Sequence, residues 1–132
     1  MSEKSVYDTR FFVEYFYSGD VDFLRRLKED LKAVRERIVS ALTVHEVHRT
    51  NMEREGREVA TLRSETVCRD FNVVDVDYET AVRSAELRSR HRMPMADSVI
   101  AATAQIHGCS LVSDDPHFQG IRNLKTRWLA TR

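Results

Sequence analysis

Five short apolar runs punctuate the chain at wide intervals: "SVYD" (5–8), "RIVSA" (37–41), "NVVDV" (72–76), "SLVSD" (110–114) and "TRWLA" (126–130). Longer segments with helical spacing separate them. No other feature restricts the possible folds as much. Short apolar runs bounded by polar residues read as buried strands. Strands alternating with helices build a layered α/β/α sandwich around a central, mostly parallel sheet, here of four to five strands. Right-handed crossovers are expected to join them. A chain of 132 residues is long enough for one real core. It contains no linker, repeat or low-complexity segment, so residues 1–132 read as a single domain.

The intervening segments carry helix signatures. Leu24, Leu27, Leu31 and Val34 form one face after Asp20. Val44, Val47 and His48 form another, with Thr43 as N-cap. Tyr78, Ala81, Val82 and Ala85 mark a third face, begun at Asp77. The stretch from Asp97 to His107 is apolar on most sides and rich in alanine, which predicts a closely packed helix ended by Gly108. Phe11, Phe12, Tyr15 and Phe16 cannot all be buried equally at helical spacing, and their excess is expected to face a partner subunit. Trp128 reads as a core residue of the last strand.

Composition removes several function classes. The formal net charge is zero, which argues against a strongly basic nucleic-acid binder but leaves room for a local basic groove. No apolar run approaches the roughly 20 residues that span a bilayer. The opening "MSEKSVYDTRFF" lacks the regions of a signal peptide. A cytoplasmic location without membrane contact is therefore expected. Cys68 and Cys109 have no metal-ligand spacing and read as two buried, reduced thiols.

The acids are more informative. Ligands of open α/β sheets bind beyond the carboxyl ends of the strands. Asp8 directly follows "SVY", and Asp114 and Asp115 follow "SLVS". Glu46 falls in the first turn of the helix after "RIVSA", on the Thr43–Glu46–Thr50 side. Asp97 opens its own helix. Each has an ordinary role available: Asp8 and Asp97 as N-caps, worth about 0.5–2 kcal/mol, Glu46 at the positive end of a helix dipole, and "SDDPHF" as a turn. Caps and turns do not explain why all of them fall at one pole of the sheet. Clustered carboxylates raise one another's pKa values unless a cation neutralises them. Hard oxygen ligands suit Mg2+ or Mn2+ better than zinc. Such a site suits phosphodiester hydrolysis, and no side-chain nucleophile stands out.

Taken together, "VYDTRFFVEYF", "SALTVHEVHR", "MPMADSVIAATA" and "LVSDDPHF" resemble, in order and spacing, the PIN domain and especially its small VapC-type toxin ribonucleases. The resemblance spans nearly the whole chain, and "MADSVIAATA" is its most specific piece. It implies a metal-dependent ribonuclease acting on RNA, with metal-binding roles for Asp8, Glu46, Asp97 and Asp115 and with Mg2+ or Mn2+ as cofactor. Asp8 and Asp97 would be the direct ligands. Thr9 and Ser113 would supply hydroxyls that orient a carboxylate or a water. The resemblance also implies a homodimer held inactive by a cognate antitoxin. The last motif departs from the family pattern, because His117 stands where a second Asp is usual. Asp115 is favoured over Asp114 as the fourth acid, and His117 reads as a surface or hydrogen-bonding side chain.

Arg10, Arg49, Arg54, Arg57, Arg88, Arg90, His91 and Arg92 are candidate RNA contacts; a solvated face with local ion pairs accounts for most such runs. Two other classes of function compete. One is a catalytically silent PIN-like module that binds RNA or protein. The other is a receiver-like phosphoacceptor domain, which needs paired acids after the first strand and a lysine after the last. Here Asp8 stands alone, and Lys125 precedes its strand.

Overall fold

The computed structural model describes residues 2–129. Its elements are β1 (Ser2–Tyr7), α1 (Thr9–Tyr17), α2 (Val21–Lys32), β2 (Val34–Ser40), α3 (Ala41–Glu55), α4 (Arg57–Asp70), β3 (Asn72–Val74), α5 (Tyr78–Arg90), α6 (Met95–His107), β4 (Ser110–Val112) and β5 (Thr126–Arg127). A short 3-10 turn, Pro116–Phe118, lies between the last two strands. The five strands form one sheet in the order β3-β2-β1-β4-β5, and every neighbouring pair is parallel. Ala130, the last residue of the expected fifth strand, and the ends of the 1–132 domain lie outside the described residues.

The pleat divides the core in two. Val6, Ile38 and Leu111 face one way and pack with Leu87 of α5, Ile100 of α6 and Phe118. Their neighbours Tyr7, Val39 and Val112 face the other way, against Phe11, Phe12, Leu27, Leu31, Val47 and Val67 from α1 to α4. The sheet is thus covered on both faces, which is why its strands read as continuous apolar runs rather than alternating ones. The result is a three-layer α/β/α fold. From β1 the chain steps outward through β2 to β3 with α1–α4 on one face. It then crosses back past β2 and β1 to β4 with α5 and α6 on the other. The point where the direction reverses lies between β1 and β4, the switch point beside which ligands bind in such sheets.

Caps explain several boundaries. Asp20 accepts from the Phe23 N–H at 3.1 Å and starts α2. Asp77 accepts from both the N–H and the hydroxyl of Thr80 and starts α5. Gly108 ends α6 in the left-handed region, at φ 62° and ψ 41°, where a β-carbon is unfavourable. Within α6, Ala101, Ala102 and Ala104 are fully buried. Their small side chains let the helix lie close to the sheet.

Several expectations are corrected. Val34 begins β2 rather than extending α2. Thr43 is not an N-cap: α3 begins two residues earlier, capped by Ser40 through the Leu42 N–H. The segment after Gly56 is a separate helix, α4. On α5, Tyr78, Ala81, Val82 and Ala85 face solvent, and the buried side is Thr80, Ser84 and Leu87. Thr80 and Ser84 donate to acceptors within three residues of themselves, so their hydroxyls enter the interior already satisfied. Neither cysteine is buried. Cys68 lies on the outer side of α4, beside buried Val67, and Cys109 is half-buried before β4. Phe11 and Phe12 are core residues; Tyr15 and Phe16 are half-buried against the same cluster, so the aromatic run leaves no exposed ring. Trp128 is half-buried just beyond β5, stacked on Phe23.

The tight seat of α6 yields a test. Ala102→Leu is expected to destabilise the fold by about 1–3 kcal/mol through overpacking, measured by urea unfolding, whereas Ala85→Leu on the exposed side of α5 is expected to change stability by less than about 0.5 kcal/mol.

Candidate functional site

Asp8 stands one residue beyond β1, and its two oxygens have separate partners. Oδ1 accepts from the Phe11 N–H at 3.2 Å, capping α1. Oδ2 accepts from the Ser113 hydroxyl at 2.5 Å, joining the end of β1 to the segment after β4. The same Ser113 oxygen accepts from the Asp115 N–H at 3.0 Å. Asp8 is 3% exposed. Burial pushes its pKa up to about 6, against the hydrogen bonds from Ser113 and Phe11, with Asp115 adding to the rise and Arg10 opposing it.

Across the switch point lie Asp97 and Asp115. Asp97 is the third residue of α6, and Pro94 occupies the N-cap position without a side-chain bond. The expected cap is therefore absent, and the Asp97 carboxylate faces the cluster instead. Burial raises its pKa; Asp115 and Glu46 push the same way, and His117 opposes them. Asp115 starts the 3-10 turn by accepting from the His117 N–H at 2.9 Å. His117 then folds back, with Nδ1 at 3.0 Å from Asp97 Oδ2 and 3.1 Å from Asp115 Oδ1. One ligand atom from each of these three residues lies within 4.8 Å of the others.

Glu46 arrives from α3. It is the sixth residue of that helix, hence in the second turn rather than the first, because Ser40 starts the helix early. The Thr9 hydroxyl donates to Glu46 Oε1 at 2.5 Å, so α1 and α3 are linked at the site. Asp114 turns outward and pairs with Arg10 at 2.6 Å, whereas Asp115 turns inward. Asp8, Glu46, Asp97 and Asp115 thus feel one another's charge, directly or through a shared neighbour. Sequence reasoning gave His117 no part in this cluster. Its signal was its place where the family motif has a second Asp, two residues after Asp115 in a proline-containing turn.

Four of the eight candidate RNA contacts, Arg10 included, have local partners. Arg49 approaches Glu53 on its own helix, Arg54 lies over the Tyr17 ring, and Arg88 donates to the Met93 carbonyl. Arg57, Arg90 and Arg92 are exposed, and His91 is half-buried. The largest cavity, about 720 Å3 and lined by Lys4, His107, Cys109, Asn123 and Lys125 among others, opens at the other end of the sheet, where β4 begins. Its lining carries no carboxylate, whereas the acids gather at the switch point.

Converging carboxylates, one of them buried deeply enough to resist ionisation, leave negative charge to be neutralised. The donor set is oxygen with one imidazole nitrogen. That composition fits a hard or borderline divalent cation.

A model of the PIN domain family matches residues 5–124. Among curated proteins there is no significant match. The fold is similar to a toxin–antitoxin complex from Klebsiella pneumoniae, with 26% identity, 91% of this chain and 94% of that chain covered, and a TM-score of 0.72. It is also similar to VapBC2 from Rickettsia felis bound to a promoter DNA fragment, at 16% identity, 96% and 99% coverage and a TM-score of 0.80. A third likeness is VapC20 of Mycobacterium tuberculosis, a toxin that cleaves the sarcin-ricin loop, at 16% identity, 84% and 89% coverage and a TM-score of 0.70. The last two bear on the fold alone.

Burial of Asp8 has a measurable cost. Its folded pKa lies above the ordinary 3.8, so its contribution to stability is complete below about pH 4 and lost as pH rises through about 6, a loss of roughly 3 kcal/mol. In EDTA, Asp8→Asn is expected to match the parent near pH 4 and to exceed its stability at pH 8, measured by urea unfolding. An unchanged pH slope in the variant would assign the effect to another group.

Proposed function

The chain belongs to the PIN domain family, and from that premise we propose that it is a divalent-metal-dependent endoribonuclease, the toxin of a toxin–antitoxin pair, working as a single domain over residues 1–132. The observation that carries this reading is the convergence of Asp8, Glu46, Asp97 and Asp115 on the switch point between β1 and β4. Nucleases of the family use divalent metals, and the hard donor set supports Mg2+ or Mn2+.

When bound, the cation supplies positive charge that relieves the carboxylates and stabilises the charge developing on phosphate oxygens. The side chains do the rest. Asp8 and Asp97 would hold the cation. Ser113 fixes the rotamer of Asp8 from one side while the Phe11 N–H fixes it from the other. Thr9 holds one oxygen of Glu46, and the other would add to the donor set around the cation. Asp115 completes the acidic ring, and its position is set by the backbone turn that it caps. Arg10, paired with Asp114 at the rim, is one candidate to meet an RNA phosphate.

The similar Klebsiella protein is part of a toxin–antitoxin complex, which supports a cognate antitoxin as partner. RNA as substrate, a cytoplasmic location and a homodimer belong to the same proposal. No described helix is long and apolar enough to cross a membrane.

The test is cleavage of structured and unstructured RNA with and without Mg2+ or Mn2+. Asp8→Asn and Asp97→Asn are each expected to lower the rate by about 100-fold or more, since several kcal/mol of charge stabilisation depend on the cation. Thr9→Ala, which removes only a supporting hydroxyl, is expected to cost about 10- to 100-fold. Cleavage retained by both acid variants would overturn the assignment. RNA binding that ignores metal and leads to no cleavage would mark a silent binding module instead.

A further inference from the structure

The His117 ring is placed in a way that the acids alone do not explain. It is held at both ends of a short turn. Its own N–H is tied to Asp115 Oδ1, and the next residue, Phe118, is 1% exposed in the core cluster with Ile100 and Leu111. These anchors fix the backbone from which the ring reaches the cluster. Nδ1 is the nitrogen that enters the cluster, and it meets carboxylates from two different elements, α6 and the turn. The guanidinium nearest the site, on Arg10, is engaged by Asp114. The separations of 3.0 and 3.1 Å are also the spacing of neighbouring ligands around a six-coordinate ion, where bonds of about 2.1 Å at right angles put donors about 3.0 Å apart.

Resting on the metal-nuclease reading above, we propose that His117 Nδ1 is a ligand of the divalent cation, giving this chain a mixed oxygen–nitrogen site that prefers Mn2+ to Mg2+. Imidazole is a softer donor than carboxylate. Magnesium favours oxygen and gives up its waters reluctantly, whereas first-row transition ions accept imidazole readily. A neutral His117 also spares the site one negative charge where the usual family motif has a second Asp. The cluster already contains carboxylates whose charge is poorly solvated, and a fifth acid would add to that repulsion. The histidine therefore supplies a donor without adding to the charge.

Mn2+ is the probe, because it is paramagnetic and reports nitrogen coordination directly. The protein is titrated with Mn2+ without RNA, free and bound ion are followed by electron paramagnetic resonance, and pulsed spectra are searched for 14N coupling. The wild type is expected to show an imidazole 14N signal. His117→Gln, at a half-exposed position, is expected to lose it. His117→Asp is expected to lose the signal and to lower the preference for Mn2+ over competing Mg2+ by at least about tenfold. Mn2+ bound in an Asp97-dependent way without 14N coupling, or with coupling that persists in His117→Gln, overturns the role of His117 and leaves the metal-nuclease reading standing. A wild type that binds no Mn2+ overturns both.

Discussion

The Asp8 carboxylate is the joint on which the site is built. One oxygen caps α1 and the other takes the Ser113 hydroxyl from across the switch point. Ser113 in turn receives the Asp115 N–H. Three short bonds thus tie the ends of two adjacent parallel strands to the start of a helix and to the turn that carries Asp115 and His117. A carboxylate so enclosed is poorly solvated, and its raised pKa is the cost of that position. Its hydrogen bonds recover part of the cost, and a cation would recover more. Preorganisation of the site and local instability of the cation-free protein have the same physical origin.

The outer acids behave differently because their surroundings differ. Asp114 and Asp115 are adjacent, yet one pairs with Arg10 at the rim and the other caps a turn beside Asp97. Proline at the start of that turn fixes the backbone and sends the two side chains apart. Glu46 depends on α3 for its position and on Thr9 for its orientation. The hydroxyl residues next to the acids, Thr9 and Ser113, are therefore positioning groups whose effect is felt through the carboxylates that they hold.

The layer order was legible because strands covered on both faces need uninterrupted apolar runs, and all five runs became strands. Caps with side-chain acceptors, Asp20 and Asp77, were legible for the same local reason. The α3–α4 break was not, since Gly56 at φ 88° is the only interruption in a long polar helical stretch. The buried side of α5 was misread because periodicity counts apolar residues, and here Thr80 and Ser84 satisfy themselves and go inside. The approach of Asp8, Asp97 and Asp115 followed from strand-end logic. The folding back of His117 did not, because a 3-10 turn of three residues has no hydrophobic period to read.

Sheet order also governs when the site can exist during synthesis. β1 lies at the centre of the sheet, but its neighbour β4 is made after β2 and β3. Ser113 follows Asp8 by 105 positions. A ribosome-bound chain can pair β1 with β2, and β2 with β3, well before it can close the acidic ring. An acidic cluster divided in this way stays incomplete until the segment after β4 has emerged, long after β1 has found its first partner.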